Sequence, residues 1–518
     1  MRSWHSLFEI LRFPLEVVFL ATILSGIGNL IVNPSFGLVT VMNASYIETF
    51  GMILQRTGNF ILINFPMLFM IRFVTRKGGS GTTVLSALGG YMIYTITTMY
   101  VSSTNIATTA YSSILGLSAV TTSSYASSIT KYPLQTGMIG SAIIAVITLL
   151  CFNATRKKSE YGLFSFISKE LSCTIRIVFF SFLAGILVSL GWPYFLGLIQ
   201  RIVNFISVDT TNPINLTLYG ICDRFLSMLN LGTLIRQPFW YTIQGGSWVS
   251  LTGASVVGDV NVWSSQLAAS ALNGMAGRFI TPYYILNIFA IPAMLAAICT
   301  LETDPLKKRK VVIISVIASL VSIFMGTLLP IELMLLFLCP LLLFIHFGLT
   351  GILFGVLQGM HIYLGYNTST SSTMTAMPGT LPEFLTYIGT PSLQKTLLWL
   401  VLIGIIAAVV YFFVTRLYFT KLALDLFKTG EEERAVRSTI KACGGIENIR
   451  NTGSSITTLT VSLYNPSKLD TIRLKKMGSF RIYETRSSFN ICFGASSTMI
   501  RKGIEKAIRE SVRETDED

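Results

Sequence analysis

Apolar stretches of about membrane-spanning length recur along this 518-residue chain from residue 14 to residue 419, and no other feature constrains its fold as much. The clearest are Pro14–Asn33, Phe60–Val74, Thr83–Val101, Gln135–Phe152, Ile175–Leu198, Tyr283–Leu301, Val311–Leu329, Ile331–Leu357 and Thr396–Phe419. A helix needs roughly 20 such residues to cross about 30 Å of hydrocarbon. In lipid every backbone group must be satisfied internally, which for continuous apolar runs means helices. Charged residues make up only 12% of the sequence, where a soluble domain carries about 25%. These features predict an α-helical polytopic membrane domain of about ten transmembrane helices.

The chain holds 39 basic and 25 acidic residues, a net charge of +14. On a soluble protein that excess would suggest nucleic acid. Here the basic residues gather at Arg72/Arg76/Lys77, at Arg156/Lys157/Lys158, at Lys307–Lys310 and after Lys421, as expected of cytoplasmic loops. The bilayer is thus the expected partner, with no nucleic acid. No cleavage motif follows Pro14–Asn33, which reads as the first transmembrane helix behind a cytoplasmic N-terminus. Seven cysteines, at 151, 173, 222, 299, 339, 443 and 492, form no CxxC pair, so neither a disulfide framework nor a metal site is expected. No motif calls for a cofactor.

Three apolar stretches lie between the basic residues Lys310 and Lys421, and an odd number cannot return the chain to one side. Something there must be broken or re-entrant, a feature found where backbone lines a cavity. Two regions suit that role: Asn230–Gly277, rich in Gly, Ser, Trp and Gln, and Tyr366–Pro391, with its run Thr368–Thr373 and three prolines.

After residue 420 the pattern changes. Residues 421–435 read as a linker ending in the charged run Gly430–Arg434. Residues 436–518 read as a small cytoplasmic α/β domain. In Ile456–Tyr464 the residues Leu459, Val461 and Leu463 alternate with polar ones, the period of a half-buried strand. Ser479–Glu484 and Phe489–Phe493 read as further strands, Lys468–Met477 as helical, and Ile500, Ile504 and Ile508 share one face of a last helix.

Ionisable residues inside a membrane domain are costly and are functional candidates by default. From Pro305 to Pro382 the only acidic residue is Glu332, beside the helix-breaking Pro330, which makes it the leading binding candidate. Asp223 and Arg224 read equally as a structural ion pair or as part of a site. Arg236, Asn230 and Gln237 lie in the polar Gly-rich region, and Lys169 in an earlier loop. His346, flanked by apolar residues, reads as a hydrogen-bonded core residue rather than a base.

Local sequences then resemble the glucose–maltose–N-acetylglucosamine branch of the bacterial phosphotransferase system, whose enzyme II carries a membrane C domain followed by a B domain. Asn64-Phe65-Pro66-Met67-Leu68-Phe69 is similar to the family's N-L-P-L-L-F. Tyr219-Gly220 with Arg224 resembles Y-G-x-x-N-R, and Ile291-Pro292-Ala293 with Asp304-Pro305…Lys310 resembles G-L-P-A…K-P-E-x-x-K. Gly326–Glu332, Cys339-Pro340 and His346 resemble G-I-T-E-P-I-E…A-P…I-H, while Gly444–Ile449 resembles G-G-K-E-N-I. The matches run in order along nearly the whole chain.

The resemblance implies a sugar permease of the bacterial inner membrane, with a cytoplasmic C-terminal domain and dimers formed through the N-terminal helices. It also locates departures. The B-domain phosphocysteine falls on Ser455 and two arginines on Thr458 and Thr460; the site histidines fall on Gly232 and Thr233, and one glutamate on Leu329. Lys169 stands where a loop has lost its glycines and arginine. A serine without a base is a poor acceptor, and lost arginines remove charge that steadies a phosphoryl group. Cys443 precedes the Gly-Gly turn and does not replace the thiolate. The expected function is therefore to bind, sense or passively conduct a sugar-like solute without phosphorylating it, with no catalytic residue retained. Two alternatives are a working transporter that borrows a B domain, and a receptor that docks other phosphotransferase components.

Overall fold

The computed structural model describes residues 2–33, 45–78, 81–102, 120–124, 127–131, 133–157, 169–250, 253–272, 274–301, 305–366, 379–422, 430–454, 458–477, 479, 481–485, 488–493 and 497–516. The chain forms two compact units, Met1–Ala423 and Leu424–Asp518.

The first unit is helical. Its elements are α1 (Arg2–Val32), α2 (Ser45–Ile63), α3 (Phe65–Gly78), α4 (Gly81–Val101), the hairpin β1 (Val120–Ser124) and β2 (Ser127–Lys131), α5 (Gly137–Lys157) and α6 (Lys169–Val208). Then follow α7 (Pro213–Met228), α8 (Thr233–Tyr241), the hairpin β3 (Ser247–Val249) and β4 (Ser255–Val257), α9 (Asp259–Ala268), α10 (Thr281–Ile285) and α11 (Ile291–Leu301). The unit ends with α12 (Pro305–Met325), α13 (Leu329–Leu338), α14 (Pro340–Gly359), α15 (Leu381–Thr386) and α16 (Gln394–Leu422).

Among the described residues seven helices are long and apolar enough to cross a membrane, or eight if a bent pair is counted as one span. That bent pair is α2 and α3, which turn by 55° at Asn64. The stretch Phe60–Val74, expected as one straight span, is therefore two helices. Pro66 explains the break, because it has no N–H to donate to the turn before it. Ile331–Leu357 is likewise not one helix. It divides at Cys339 (φ −144°), directly before Pro340, and leaves α13 with ten residues. At 1.5 Å per residue α13 is about 15 Å long, half of a bilayer core. One of the three apolar stretches between Lys310 and Lys421 is thus broken. α10 and α11 join through a π-turn at Leu286–Ala290, where the Asn287 side chain donates to the Gly379 carbonyl at 3.2 Å.

The outward faces of the long helices are apolar. On α6, Leu183, Leu187, Leu190 and Tyr194 are exposed, and on α16 so are Leu398, Leu402, Ile406 and Phe413. Lipid rather than water suits such faces, and they belong to a multi-pass membrane protein. Inside, α7 and α14 cross closely through small residues. A Cβ on Gly220 would lie 2.5 Å from the Phe354 ring, and one on Gly351 would lie 2.5 Å from Ile221. This contact gives the Tyr219-Gly220 pair a packing reason.

The second unit contains α17 (Gly430–Ala442), β5 (Ile449–Ser454), β6 (Leu459–Leu463), α18 (Thr471–Lys476), β7 (Arg481–Thr485), β8 (Ser488–Cys492) and α19 (Ser497–Asp516). Its four strands make one antiparallel sheet in the order β5-β6-β8-β7. Leu459, Val461 and Leu463 are buried in alternation and pack with Ile491, Ile500 and Ile504. α17 begins at Gly430, inside the segment expected to be a linker, because the good helix formers Glu431–Glu433 open it. β5 was not expected as a strand. Its sequence Ile-Arg-Asn-Thr-Gly-Ser has no apolar alternation, and the strand rests on pairing with β6.

Candidate functional site

Four charges are buried together in the first unit. α7 carries Asp223 and Arg224, α8 carries Arg236, and α13 carries Glu332. Asp223, Arg224 and Glu332 are fully buried and Arg236 is 5% exposed. Two positive and two negative groups balance, which is what makes burial tolerable, since an isolated charge would be prohibitive.

Asp223 is the hub. Its Oδ1 accepts from Arg236 Nε at 2.5 Å, and its Oδ2 from Arg224 Nη2 at 2.9 Å, Arg224 Nε at 3.0 Å and Arg236 Nη2 at 3.2 Å. Tyr283 on α10 also donates its hydroxyl to Oδ2. Ser227, one turn after Asp223, accepts from Arg236 Nη2 at 2.7 Å. The two guanidinium groups lie over the Tyr283 ring at 5.2 and 5.8 Å, and Arg236 lies over Trp240 at 5.3 Å. Beneath them Tyr219 accepts from Trp240 Nε1 at 2.9 Å and packs edge-on against Phe239, Phe279 and Phe354.

Glu332 joins this hub from the other side. Its Oε1 accepts from Arg224 Nη1 at 3.1 Å and faces His346 Nε2 at 3.3 Å. A carboxylate only accepts, so Nε2 carries the proton in this contact. In the neutral ring the His346 Nδ1 lone pair then faces the Tyr411 hydroxyl, 3.0 Å away on α16. Glu332 Oε2 is buried without a hydrogen-bond partner among the described residues.

The turn between α7 and α8 contains Asn230, Gly232 and Thr233. Asn230 has a left-handed backbone (φ 59°), a conformation that Asn tolerates. Its amide donates to the Ile63 carbonyl at 2.8 Å. Gln135 Nε2 donates to the Asn230 carbonyl at 2.9 Å, and Thr233 donates to Gln135 Oε1 at 2.5 Å. The turn is thereby stitched to the end of α2 and to the approach to α5. Gly232 runs against α7: a Cβ there would fall 2.3 Å from Ser227 Oγ. A histidine would displace that serine from Arg236.

The structure therefore brings Arg236 and Glu332 into one network and places Asn230 in the adjoining turn. Gln237 lies half-buried on α8. Lys169 opens α6, and its side chain lies outside the described parts. Ser455 and the Thr368–Thr373 run also lie outside the described residues. Thr458 Oγ1 is 3.5 Å from Cys492 Sγ, and Thr460 donates to Asn490 at 2.7 Å. Sequence reasoning missed the link from Arg224 to Glu332, which are 108 residues apart, and the parts played by Gln135, Tyr283 and Tyr411. Tyr283 lay inside an apolar stretch, and nothing in its neighbours signals a hydrogen bond to a charge.

The α2–α3 pair is broken, Leu329–Leu338 is a half-length helix, and the ion network lies beside polar turns; broken helices of this kind line the binding sites of many membrane transporters. The family model described as "Phosphotransferase system, EIIC" matches residues 8–351, more than half of the chain, which therefore belongs to the PTS EIIC family of multi-pass membrane sugar permeases.

Proposed function

We propose that this permease binds a sugar-like solute of the inner membrane's transport traffic, and conducts or senses it without phosphorylating it. The observation that carries this reading is Glu332. Its Oε1 holds Arg224 and faces His346, while Oε2 is a buried acceptor with no partner among the described residues. An unpaired ionised oxygen in a dry setting is strongly favoured to meet a donor, and the hydroxyl of a polyol supplies one without bringing charge into a balanced network.

The absence of phosphoryl transfer rests on separate features. In this reading residues 436–518 are a B-type domain facing the cytoplasm, as is the N-terminus, with residues 1–420 as the permease domain. Ser455 stands at the phosphocysteine position by resemblance, with Thr458 and Thr460 in place of arginines. Cys443 cannot substitute: it is fully buried in the core of its unit, and burial pushes its thiol up to about 12. A thiolate is the nucleophilic form. Gly232 and Thr233 stand for the lost histidines, and Thr233 is held by Gln135. A homodimer through the N-terminal helices and docking of other phosphotransferase components belong to the same reading by resemblance.

The test uses vesicles containing the full chain, the soluble phosphoryl-carrier proteins, phosphoenolpyruvate and labelled hexoses and disaccharides. The expected result is saturable binding or equilibration of unmodified sugar. Sugar phosphate in the lumen overturns the reading in favour of a borrowed B domain, and binding without flux narrows it to a receptor.

A further inference from the structure

Helix α9 carries polar groups that the ion network does not use. Trp263 and Gln266 lie three residues apart, hence side by side on one face of the helix. They are 2% and 1% exposed. Neither the indole Nε1 nor either polar atom of the Gln266 amide has a hydrogen-bond partner among the described residues. A buried polar group left unpaired is costly, and native proteins keep few of them. Here three such atoms sit within a single helical turn.

The indole is held in place by the described residues packed on it. Gly365 presses on it so closely that a Cβ would fall 2.2 Å from the Trp263 ring. Tyr387 meets the same ring edge-on, with centroids 6.2 Å apart. The backbone doing the pressing is itself fixed: Ser264 donates to the Tyr366 carbonyl at 3.2 Å and Tyr284 to the Gly365 carbonyl at 2.8 Å. Nε1 therefore points in a set direction, with the Gln266 amide one turn along.

The chemistry of this face selects its ligand. The amide offers two N–H donors and one acceptor, and the indole a third donor. Three donors and one neutral acceptor do not bind a cation. An anion would find no positive side chain on this turn, and Asp259, one turn earlier on the same helix, carries a carboxylate whose oxygens already accept from Gly277 N (2.9 Å) and Phe279 N (3.3 Å). What fits is an uncharged molecule that presents two or more acceptor oxygens and at least one O–H. We infer that the Trp263–Gln266 face of α9 is a second contact surface for the solute, holding hydroxyl or carbonyl oxygens of an uncharged polyhydroxylated molecule. The naming of the solute class rests on the proposed function; the existence of the face does not.

The experiment measures thermal unfolding of the purified full chain in detergent with D-glucose, N-acetyl-D-glucosamine or maltose, for the wild type and for Gln266→Met. The expected result has two parts. The variant without sugar melts at the same temperature as the wild type or higher, since no pairing is lost, and its half-saturation by a stabilising sugar is weakened about 30-fold, as two lost neutral hydrogen bonds imply. Unchanged half-saturation overturns the inference, and so does a lower melting temperature without sugar, the sign of an amide that serves only an ordered water or the fold. Gln266→Leu is the second apolar replacement, and failure of both to fold overturns it too. A wild type that answers none of the sugars removes the sugar reading. The face is then judged by stability without sugar, where a stabilised variant keeps it for another uncharged polar ligand and a destabilised one overturns it.

Discussion

Asp223 on α7 and Glu332 on α13 are both fully buried carboxylates paired to the same guanidinium, yet they are satisfied very differently. Both oxygens of Asp223 accept from arginine, and Oδ2 also takes the Tyr283 hydroxyl. Glu332 places both of its neighbours on one oxygen and leaves the other with none among the described residues. A saturated buried carboxylate has no capacity left for a ligand; its place is to hold two arginines and thereby two helices. A half-satisfied one is held in position and still has an acceptor to offer. On the proposed function, the comparison separates a structural carboxylate from a binding one inside a single network, which identity or burial alone would not do.

The most severe way to break the comparison is to remove the hub. Asp223→Asn leaves Arg236 buried without a counter-charge, and truncating one partner of a buried pair costs about 3–5 kcal/mol. The expected outcome is loss of most folded protein from the membrane fraction, read by size-exclusion profile and melting temperature. A variant that folds and melts like the wild type would show that the hub is not structural.

Glu332→Gln is the second test, with a smaller effect on stability. Arg224 retains Asp223, so the expected loss is the net value of a charged hydrogen bond, about 2 kcal/mol. The effect on binding is the sharper readout. Losing a charged acceptor of about 1.5–3 kcal/mol corresponds to about a 10–150-fold weaker half-saturation by sugar. If sugar response survives this change undiminished, the unpaired oxygen is not the contact.

What the sequence disclosed follows from the range of the interactions involved. Helices announce themselves through composition over 20 residues, and β6 through the alternation of Leu459, Val461 and Leu463, so these were legible. The breaks at Asn64 and Cys339 were half-legible: Pro66 and Pro340 were visible, but hydropathy over a window averages across them. β5 was hidden because its register comes from β6 and not from its own residues. The site divides the same way. Glu332 stood out as a lone acidic residue in a long apolar region, and Asp223 with Arg224 as neighbours in sequence. That Arg224 reaches Glu332, and His346 reaches Tyr411 on another helix, depends on tertiary approach over 108 and 65 residues, which no local pattern encodes. Gln266 was passed over because an amide within a polar stretch looks ordinary until its burial is known.

The mildest perturbation reaches Glu332 through its support. The Tyr411 hydroxyl lies 3.0 Å from His346 Nδ1, to which it donates when the neutral ring keeps its proton on Nε2, and Thr350 lies 3.5 Å from the same hydroxyl. Tyr411→Phe keeps the ring that packs edge-on to His346, at 5.7 Å between centroids, and deletes only the hydroxyl. The loss expected is one neutral hydrogen bond, about 1 kcal/mol, because the imidazole stays buried with Nδ1 unpaired while Nε2 keeps its carboxylate. Glu332 remains tied to Arg224, so its free oxygen should move little. Sugar half-saturation should therefore change less than about threefold, well below the effect of Glu332→Gln. A drop as large as that of Glu332→Gln would mean that the carboxylate is aimed by the His346–Tyr411 pair rather than by Arg224. The contrast with Asp223 would then extend to what orients each group: arginines for the saturated carboxylate, and a tyrosine-held imidazole for the one proposed to meet solute.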